Sequence, residues 1–430
     1  MLTENSPFVI NMDSIIFATP MEKYSSVSIR AKRGYNSPMK IGLFGGSFNP
    51  IHNGHIFVAA AARERFGLDR VLLMVAKDPP HKQIAGGVNG QTRFALVQAA
   101  LEGQTGLEAS DLELKREGKS YTVDTLRALS GLYPGAELRL IVGADMLLDL
   151  AAWREPESIC ALAGVIAVGR PDYEGLAGAA GALAARYGAR VELADFSGPE
   201  ISSTAIRDRV RDAQPIEGML PDEAAWLFYE NGLYQPHELR AMQEKLRDTL
   251  KYSRYLHSVG AMECAIALAE RFHCPGGKAR TAALLHDCAK LPADRLTALA
   301  EQYGVPVSEF DRSTPGLLHD RVGAFVAREE YGVADEQILS AIRRHTLCGK
   351  DMTTLDKVVY VADKIERTRD YPGVEELRAA SRRDLDEAVL LCMDSVIRHL
   401  EGRNQAIQPD IFAARAQMIK NHNNEREDET

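Results

Sequence analysis

Four short, almost wholly apolar runs, at residues 41–44, 71–75, 138–142 and 164–168, are separated by stretches in which apolar residues recur every three or four positions. The runs read as strands, and the stretches at 55–66, 92–101, 122–132 and 204–211 as helices. A strand without a polar face must be covered on both sides, and a helix between consecutive strands supplies the crossover that parallel neighbours need. Residues 39–236 are therefore expected to form an α/β domain, a parallel sheet with helices on both faces. Ligands of such sheets lie beyond the carboxyl ends of the strands. That rule points to residues 45–55, 77–82 and 143–145.

The pattern changes at Pro236-His-Glu-Leu239, where strand signals fade. Helical patterns follow at 239–250, 259–271, 278–291, 294–302, 321–331, 335–345, 355–366 and 385–400, so residues 237–420 are expected to form an all-α domain. A chain of 430 residues exceeds one typical core, which agrees with two domains. Residues 1–38 lack periodicity and are expected to be a disordered or loosely attached arm, with Met39 as an alternative start. The charged tail 421–430 is likewise expected to be disordered. A net charge of -9 gives no support for a nucleic-acid or membrane-surface binder. The six cysteines contain no Cys-x-x-Cys and are expected to be reduced. No apolar run approaches the roughly 20 residues that span a bilayer. The expectation is a cytoplasmic protein, with a homo-oligomer left open.

After the first strand comes Gly45-Gly-Ser-Phe-Asn-Pro-Ile-His-Asn-Gly-His55. A Gly-rich turn from a strand into a helix lets backbone N–H groups and a helix N-terminus approach a phosphate. The backbone of Gly45, Gly46, Ser47, Phe48 and Asn49 would line that approach, with Pro50 stiffening it and Gly54 clearing space between the imidazoles. His52 and His55, three residues apart, fall on one face of the first helical turn.

This stretch resembles the His-x-Gly-His signature of the nucleotidylyltransferase superfamily. Its longer form is similar to bacterial nicotinate mononucleotide adenylyltransferases, a resemblance that covers residues 39–236 and extends to Pro80-His-Lys82, Arg116-Glu-Gly-Lys-Ser-Tyr-Thr-Val-Asp-Thr125, Ile141-Val-Gly-Ala-Asp145 with Trp153, and Ile201-Ser-Ser-Thr-Ala-Ile-Arg207. The resemblance implies a Rossmann-like domain that transfers AMP from ATP, carried with Mg²⁺, to nicotinate mononucleotide. His52 and His55 would stabilise charge on the phosphates, Lys82 and Arg207 would add positive charge, and Ser203 and Thr204 would donate hydrogen bonds. Thr122, Asp145 and Trp153 would hold the nicotinate nucleotide. Thr92-Arg93 receives no role. Within the superfamily, a phosphopantetheine adenylyltransferase or a cytidylyltransferase is the rival.

In the second half, His286-Asp287 lies in an apolar pattern, where an ionisable pair is costly unless satisfied. His257 precedes a helical pattern, Asp363 interrupts another, and His319 and His345 stand at helix ends. Imidazoles and carboxylates without sulfur form a donor set suited to Fe or Mn. His257…His286-Asp287…Asp363 resembles the HD phosphohydrolase pattern. The text around it, over residues 245–405, is similar to the YqeK-type branch, with Arg367 where that branch usually has proline. This implies symmetrical hydrolysis of diadenosine tetraphosphate to two ADP. Fe, Mn or another divalent metal would be held by His257, His286, Asp287 and Asp363, and Asp287 could bridge to a second metal on His319 and His345. Lys290 and Arg369 would contact phosphate. The alternatives are a nucleotide-binding module without turnover and a phosphohydrolase of another nucleotide.

Overall fold

The computed structural model describes residues 38–79, 85–169 and 175–428. The arm expected over 1–38 therefore lies, but for its last residue, outside the described residues, as does Lys82. Two compact units are present. One holds the described residues up to Arg207 together with Gly218–Leu233, and the other holds Asp208–Glu217 together with the described residues from Tyr234 onward.

The first unit runs β1 (Lys40–Gly46), α1 (Asn53–Arg65), β2 (Arg70–Val75), α2 (Gly90–Ala100), β3 (Leu107–Ser110), α3 (Thr122–Leu132), β4 (Glu137–Gly143), α4 (Ala144–Asp149), α5 (Pro156–Leu162), β5 (Ala163–Val168), α6 (Leu176–Tyr187) and β6 (Val191–Leu193). Next come α7 (Ser203–Arg211), which crosses the division between units, and α8 (Asp222–Glu230). The expected parallel sheet is observed, in the order β3-β2-β1-β4-β5-β6. Central strands are apolar because both their faces are covered; β5 is buried throughout. β3 and β6 escape a search for apolar runs because each is a short edge strand with partly exposed residues. The chain order reverses between β1 and β4, and their register pairs Phe44 with Ile141. Both strands thus deliver their following loops to one crevice, where a doubly wound sheet binds its ligand.

The second unit is helical: α9 (His237–Thr249), α10 (Tyr252–Arg271), α11 (Gly276–Leu285), α12 (Ala293–Gln302), α13 (Glu309–Ser313), α14 (His319–Tyr331), α15 (Glu336–Arg344), α16 (Thr354–Ile365), α17 (Val374–Ser381), α18 (Leu385–Gly402) and α19 (Asp410–Asp428). Alanines at 261, 265, 269, 279, 282 and 283 are all buried and let α10 and α11 approach closely. Three expectations are corrected here. The helix expected from 259 begins at Tyr252, so His257 lies inside α10 rather than before it; the buried residues of this first stretch include His257 and Ser258, which an apolar count misses. The helix expected to 291 stops at Leu285, where i→i−3 bonds such as Cys288 N–H to Leu285 O tighten the chain. The tail from 421 continues α19 to Asp428, since no glycine or proline follows Pro409 to end it.

Residues 208–217 pack within the second unit. The Arg280 guanidinium, itself buried, donates to Val210 O at 2.7 Å. A Cβ on Gly276 would lie 2.3 Å from Ala213 O. The boundary expected at 236 is therefore not one point along the chain. All six cysteines are unpaired. Among the described residues no helix is long and apolar enough to cross a membrane.

Candidate functional site

At the end of β1 the chain turns through Phe48, whose φ of 43° is left-handed, and enters α1 behind His52. The His52 and His55 rings stack with centroids 3.6 Å apart, and the edge of His55 meets Phe48. The His52 backbone N–H donates to His55 Nδ1 at 3.2 Å, which leaves the proton of a neutral His55 ring on Nε2. Burial lowers the His52 pKa to about 4, so it is neutral near pH 7. A Cβ on Gly54 would lie 3.0 Å from His52 Nδ1, close enough to crowd that ring. Nothing lies within 4 Å of the Cβ position of Gly45, an open approach to the backbone.

The first turn of α7 is tied to the same loop. Ser203 Oγ donates to Pro50 O at 2.8 Å, and Arg207 donates to Asn49 O at 2.7 Å and to Thr204 Oγ1 at 3.1 Å. Ser202 Oγ accepts from the Ala205 N–H at 3.1 Å and caps this helix, a role for which its position before a helical pattern is the usual sign. Two of the expected phosphate elements, the loop after β1 and the start of α7, are thereby in direct contact.

Arg93, which has no role in the sequence reading, is fully buried in α2. Its guanidinium donates to Ser47 O and, at 2.8 Å, to Ala76 O, so it joins the loop after β1 to the end of β2. The sequence places it at the opening of a packed helix, with nothing to tie it to the loop after β1. Replacing it with leucine is expected to leave both carbonyls unsatisfied. Thermal unfolding should show a loss of about 2 kcal/mol or more.

Thr122 opens α3 and is partly buried. One turn on, Thr125 Oγ1 donates to the buried Glu113 carboxyl at 2.6 Å. Asp145 is exposed in the first turn of α4, where Gly143 rather than Asp145 holds the cap position. Trp153 packs half-buried against the core of the sheet and keeps part of its ring accessible. Asp145 follows β4 and so shares the crevice at the strand reversal with the loop after β1. Thr122 is the first residue of α3, and Trp153 follows the turn Leu150–Ala152.

In the second unit four imidazoles and two carboxylates converge from five helices. His257 Nε2 lies 3.1 Å from His286 Nε2 and 3.0 Å from Asp363 Oδ1. Asp287 presents Oδ2 to this group, 3.6 Å from His286 Nε2, and its other oxygen to a second one. Oδ1 is 3.2 Å from His319 Nε2 and 3.5 Å from His345 Nε2, which are 3.0 Å from each other. All six residues are buried.

The outward nitrogens fix the tautomers. Nδ1 of His286, His319 and His345 donates to Ala283 O, Gly316 O and Ile342 O at 2.7, 2.6 and 2.7 Å. Each carbonyl lies three residues earlier: Ala283 and Ile342 in the last turns of α11 and α15, where carbonyls are free to accept, and Gly316 in the 3-10 turn Pro315–Leu318 before α14. His257 Nδ1 instead meets Glu366 Oε1 at 3.0 Å. Every neutral ring thus turns an unprotonated Nε2 inward, beside two carboxylates. Such a convergence of lone pairs fits a metal, and its N/O character fits Fe or Mn. Burial lowers the His286 pKa to about 3, which keeps it a neutral donor. Burial alone would raise the Asp363 carboxyl, but Lys364 and the His257 hydrogen bond hold it well below the usual range.

Each oxygen of the two carboxylates also carries a cation. Arg254 donates to Asp287 Oδ2 at 2.8 Å, and Lys290 Nζ lies 3.7 Å from Oδ1. Arg369 donates to Asp363 Oδ1, and Lys364 to Oδ2, both at 2.6 Å. Lys290 and Arg369 were expected near the site. Arg254, Lys364 and Thr346 (3.1 Å from His345 Nε2) were not. Their signal lay in spacing: Arg254 precedes His257 by one helical turn, and the others adjoin a residue of the cluster. Arg367 turns away toward Glu263, at 3.8 Å.

Comparison with known proteins agrees with two units. The Cytidylyltransferase-like family matches residues 43–209 and the HD domain family residues 254–368. A protein of Trichlorobacter lovleyi named "Probable nicotinate-nucleotide adenylyltransferase" is 40% identical over an alignment of 213 residues, covering 46% of this chain and 100% of that protein. One of the same name from Gloeobacter violaceus is 38% identical over 198 residues, covering 45% of this chain and 96% of its own. A crystal structure of an HD superfamily hydrolase of Clostridium acetobutylicum, described as involved in NAD metabolism, is 34% identical with a TM-score of 0.41 and covers 42% of this chain and 96% of its own.

Proposed function

The chain belongs to the nicotinate-nucleotide adenylyltransferase family through its first half, and on that premise we propose a bifunctional enzyme. The first unit transfers AMP from ATP to nicotinate mononucleotide, and the second, an HD domain, hydrolyses diadenosine tetraphosphate to two ADP.

In the first reaction a 5′-phosphate oxygen of nicotinate mononucleotide attacks the α-phosphorus of ATP, and the bond to the bridging oxygen breaks to release pyrophosphate. Such transfer needs positioning and charge stabilisation, with no nucleophile from the protein. The observation that carries this reading is the stacked His52–His55 pair at the strand reversal, fastened to the start of α7. His55 Nε2–H donates to phosphate as charge develops. Arg207, Ser203 and Thr204 bring positive charge and donors from α7, Lys82 adds positive charge, and the backbone from Gly45 to Asn49 takes the triphosphate with its Mg²⁺. Thr122, Asp145 and Trp153 receive the acceptor nucleotide. An assay offering nicotinate mononucleotide and phosphopantetheine together tests this; preferential turnover of phosphopantetheine, or use of CTP, overturns it.

For the second reaction the carrying observation is Asp287, one oxygen toward each histidine pair. His257, His286, Asp287 and Asp363 would hold one divalent metal, and His319, His345 and Asp287 another. A metal pair supplies a water of lowered pKa and polarises the phosphate. Arg254, Lys290, Lys364 and Arg369 bind and orient the polyphosphate. The resemblance over residues 245–405 supports the symmetrical dinucleotide substrate. Full-length protein stripped with a chelator, desalted and assayed with Mg²⁺ is expected to retain AMP transfer and lose hydrolysis, which Fe(II) or Mn(II) restores. Formation of ATP and AMP, or saturable binding with no ADP formed, overturns the symmetrical hydrolase.

A further inference from the structure

We propose that Glu366, seated by Gly260 and Thr368, is a positioning residue that fixes the His257 ring for metal; this rests on the metal-centre reading of the second unit. Three of the four site histidines use the backbone carbonyl three residues earlier to orient Nδ1. His257 cannot, because it lies within α10, where the carbonyls of the preceding turn are already engaged in the helix. Its Nδ1 is met instead by Glu366, at 3.0 Å. Glu366 is buried where α16 ends, three residues beyond Asp363. One short segment thus carries both a ligand and the support of another ligand.

Two features hold that carboxylate in place. Thr368 donates twice, from its backbone N–H to Oε2 at 2.7 Å and from Oγ1 to Oε1 at 2.5 Å. Gly260 lies one turn after His257 on the same face of α10, and a Cβ there would stand 2.2 Å from Glu366 Oε2 and 3.1 Å from its Cδ. Glycine within a helix is otherwise unfavourable. Its presence opposite this side chain is explained by the room the carboxylate needs.

A carboxylate behind a ligating imidazole fixes the tautomer and raises the donor strength of Nε2. The test is Mn²⁺ affinity of the full-length protein, with the Co²⁺ absorption spectrum as a second readout. Glu366→Gln is expected to weaken Mn²⁺ binding about 10–100-fold and to shift the Co²⁺ spectrum, with AMP transfer unchanged. Gly260→Ala is expected to do the same by displacing the carboxylate, and adding Glu366→Asp, one methylene shorter, to recover part of the loss. Thermal unfolding of the metal-free variants monitors the fold. Wild-type affinity and spectrum in a folded Glu366→Gln protein overturn the proposal alone. If the unsubstituted protein binds neither ion, the metal-centre reading falls with it.

Discussion

Replacing His55 with alanine is expected to lower kcat for AMP transfer by about 10²–10³-fold, the effect of deleting one donor aimed at developing charge. KM for ATP should change far less, because the glycine-rich backbone and Arg207 remain. The ring contributes a stack on His52 and an edge on Phe48, so some stability is lost as well, and unfolding must be followed beside the rate. Hydrolysis by the other unit is an internal control in the same polypeptide and should be unaffected. A fall in kcat below tenfold, with the fold intact, would remove His55 from the transition state. His52 carries a further consequence. Its pKa near 4 in the folded protein lies below the ordinary 6.5, so the unfolded chain takes up the proton first as pH falls. Stability of this unit is therefore full above about pH 6.5 and declines toward pH 4.

Asp287→Asn is expected to abolish hydrolysis and to reduce bound metal in both positions together. The amide keeps the shape of the side chain but loses the charge and one ligating oxygen. Supporting groups behind metal ligands are worth about 10–100-fold in affinity, so loss of this shared ligand should exceed that. Arg254 and Lys290 would also lose the carboxylate they now approach at 2.8 and 3.7 Å. His319→Ala, which touches one oxygen only, is expected to spare the position on His257, His286 and Asp363. Metal analysis of the two variants distinguishes them. Equal metal loss in both, or full metal in Asp287→Asn, refutes a bridging role.

The central strands and most helices were legible because burial on two faces, or on one helical stripe, leaves a periodic mark in the sequence. β3 and β6, at the sheet edges, leave none. The histidines at 52 and 55 were legible because one helical turn brings them together. Those at 257, 286, 319 and 345 are far apart in the chain, and spacing alone could not bring them to one point; the resemblance grouped them. Arg93 and Glu366 were illegible for a common reason. A charged residue that satisfies buried partners from inside the fold has the same sequence appearance as one that faces water. Lys82 lies outside the described residues, and its part in AMP transfer rests on resemblance.

The chain leaves the first unit after Arg207, gives residues 208–217 to the second, and returns with Gly218–Leu233 before leaving again. The two units are therefore not interchangeable cassettes. A truncation at 236 would deprive Arg280 of the Val210 carbonyl that receives its guanidinium, and a junction after Arg207 would strip the first unit of α8. Inactivity of an excised half would thus report a unit that lacks some of its own residues rather than an absent function. Substitutions such as His55→Ala and Asp287→Asn leave both units whole, and they test each proposed chemistry where scissors would not.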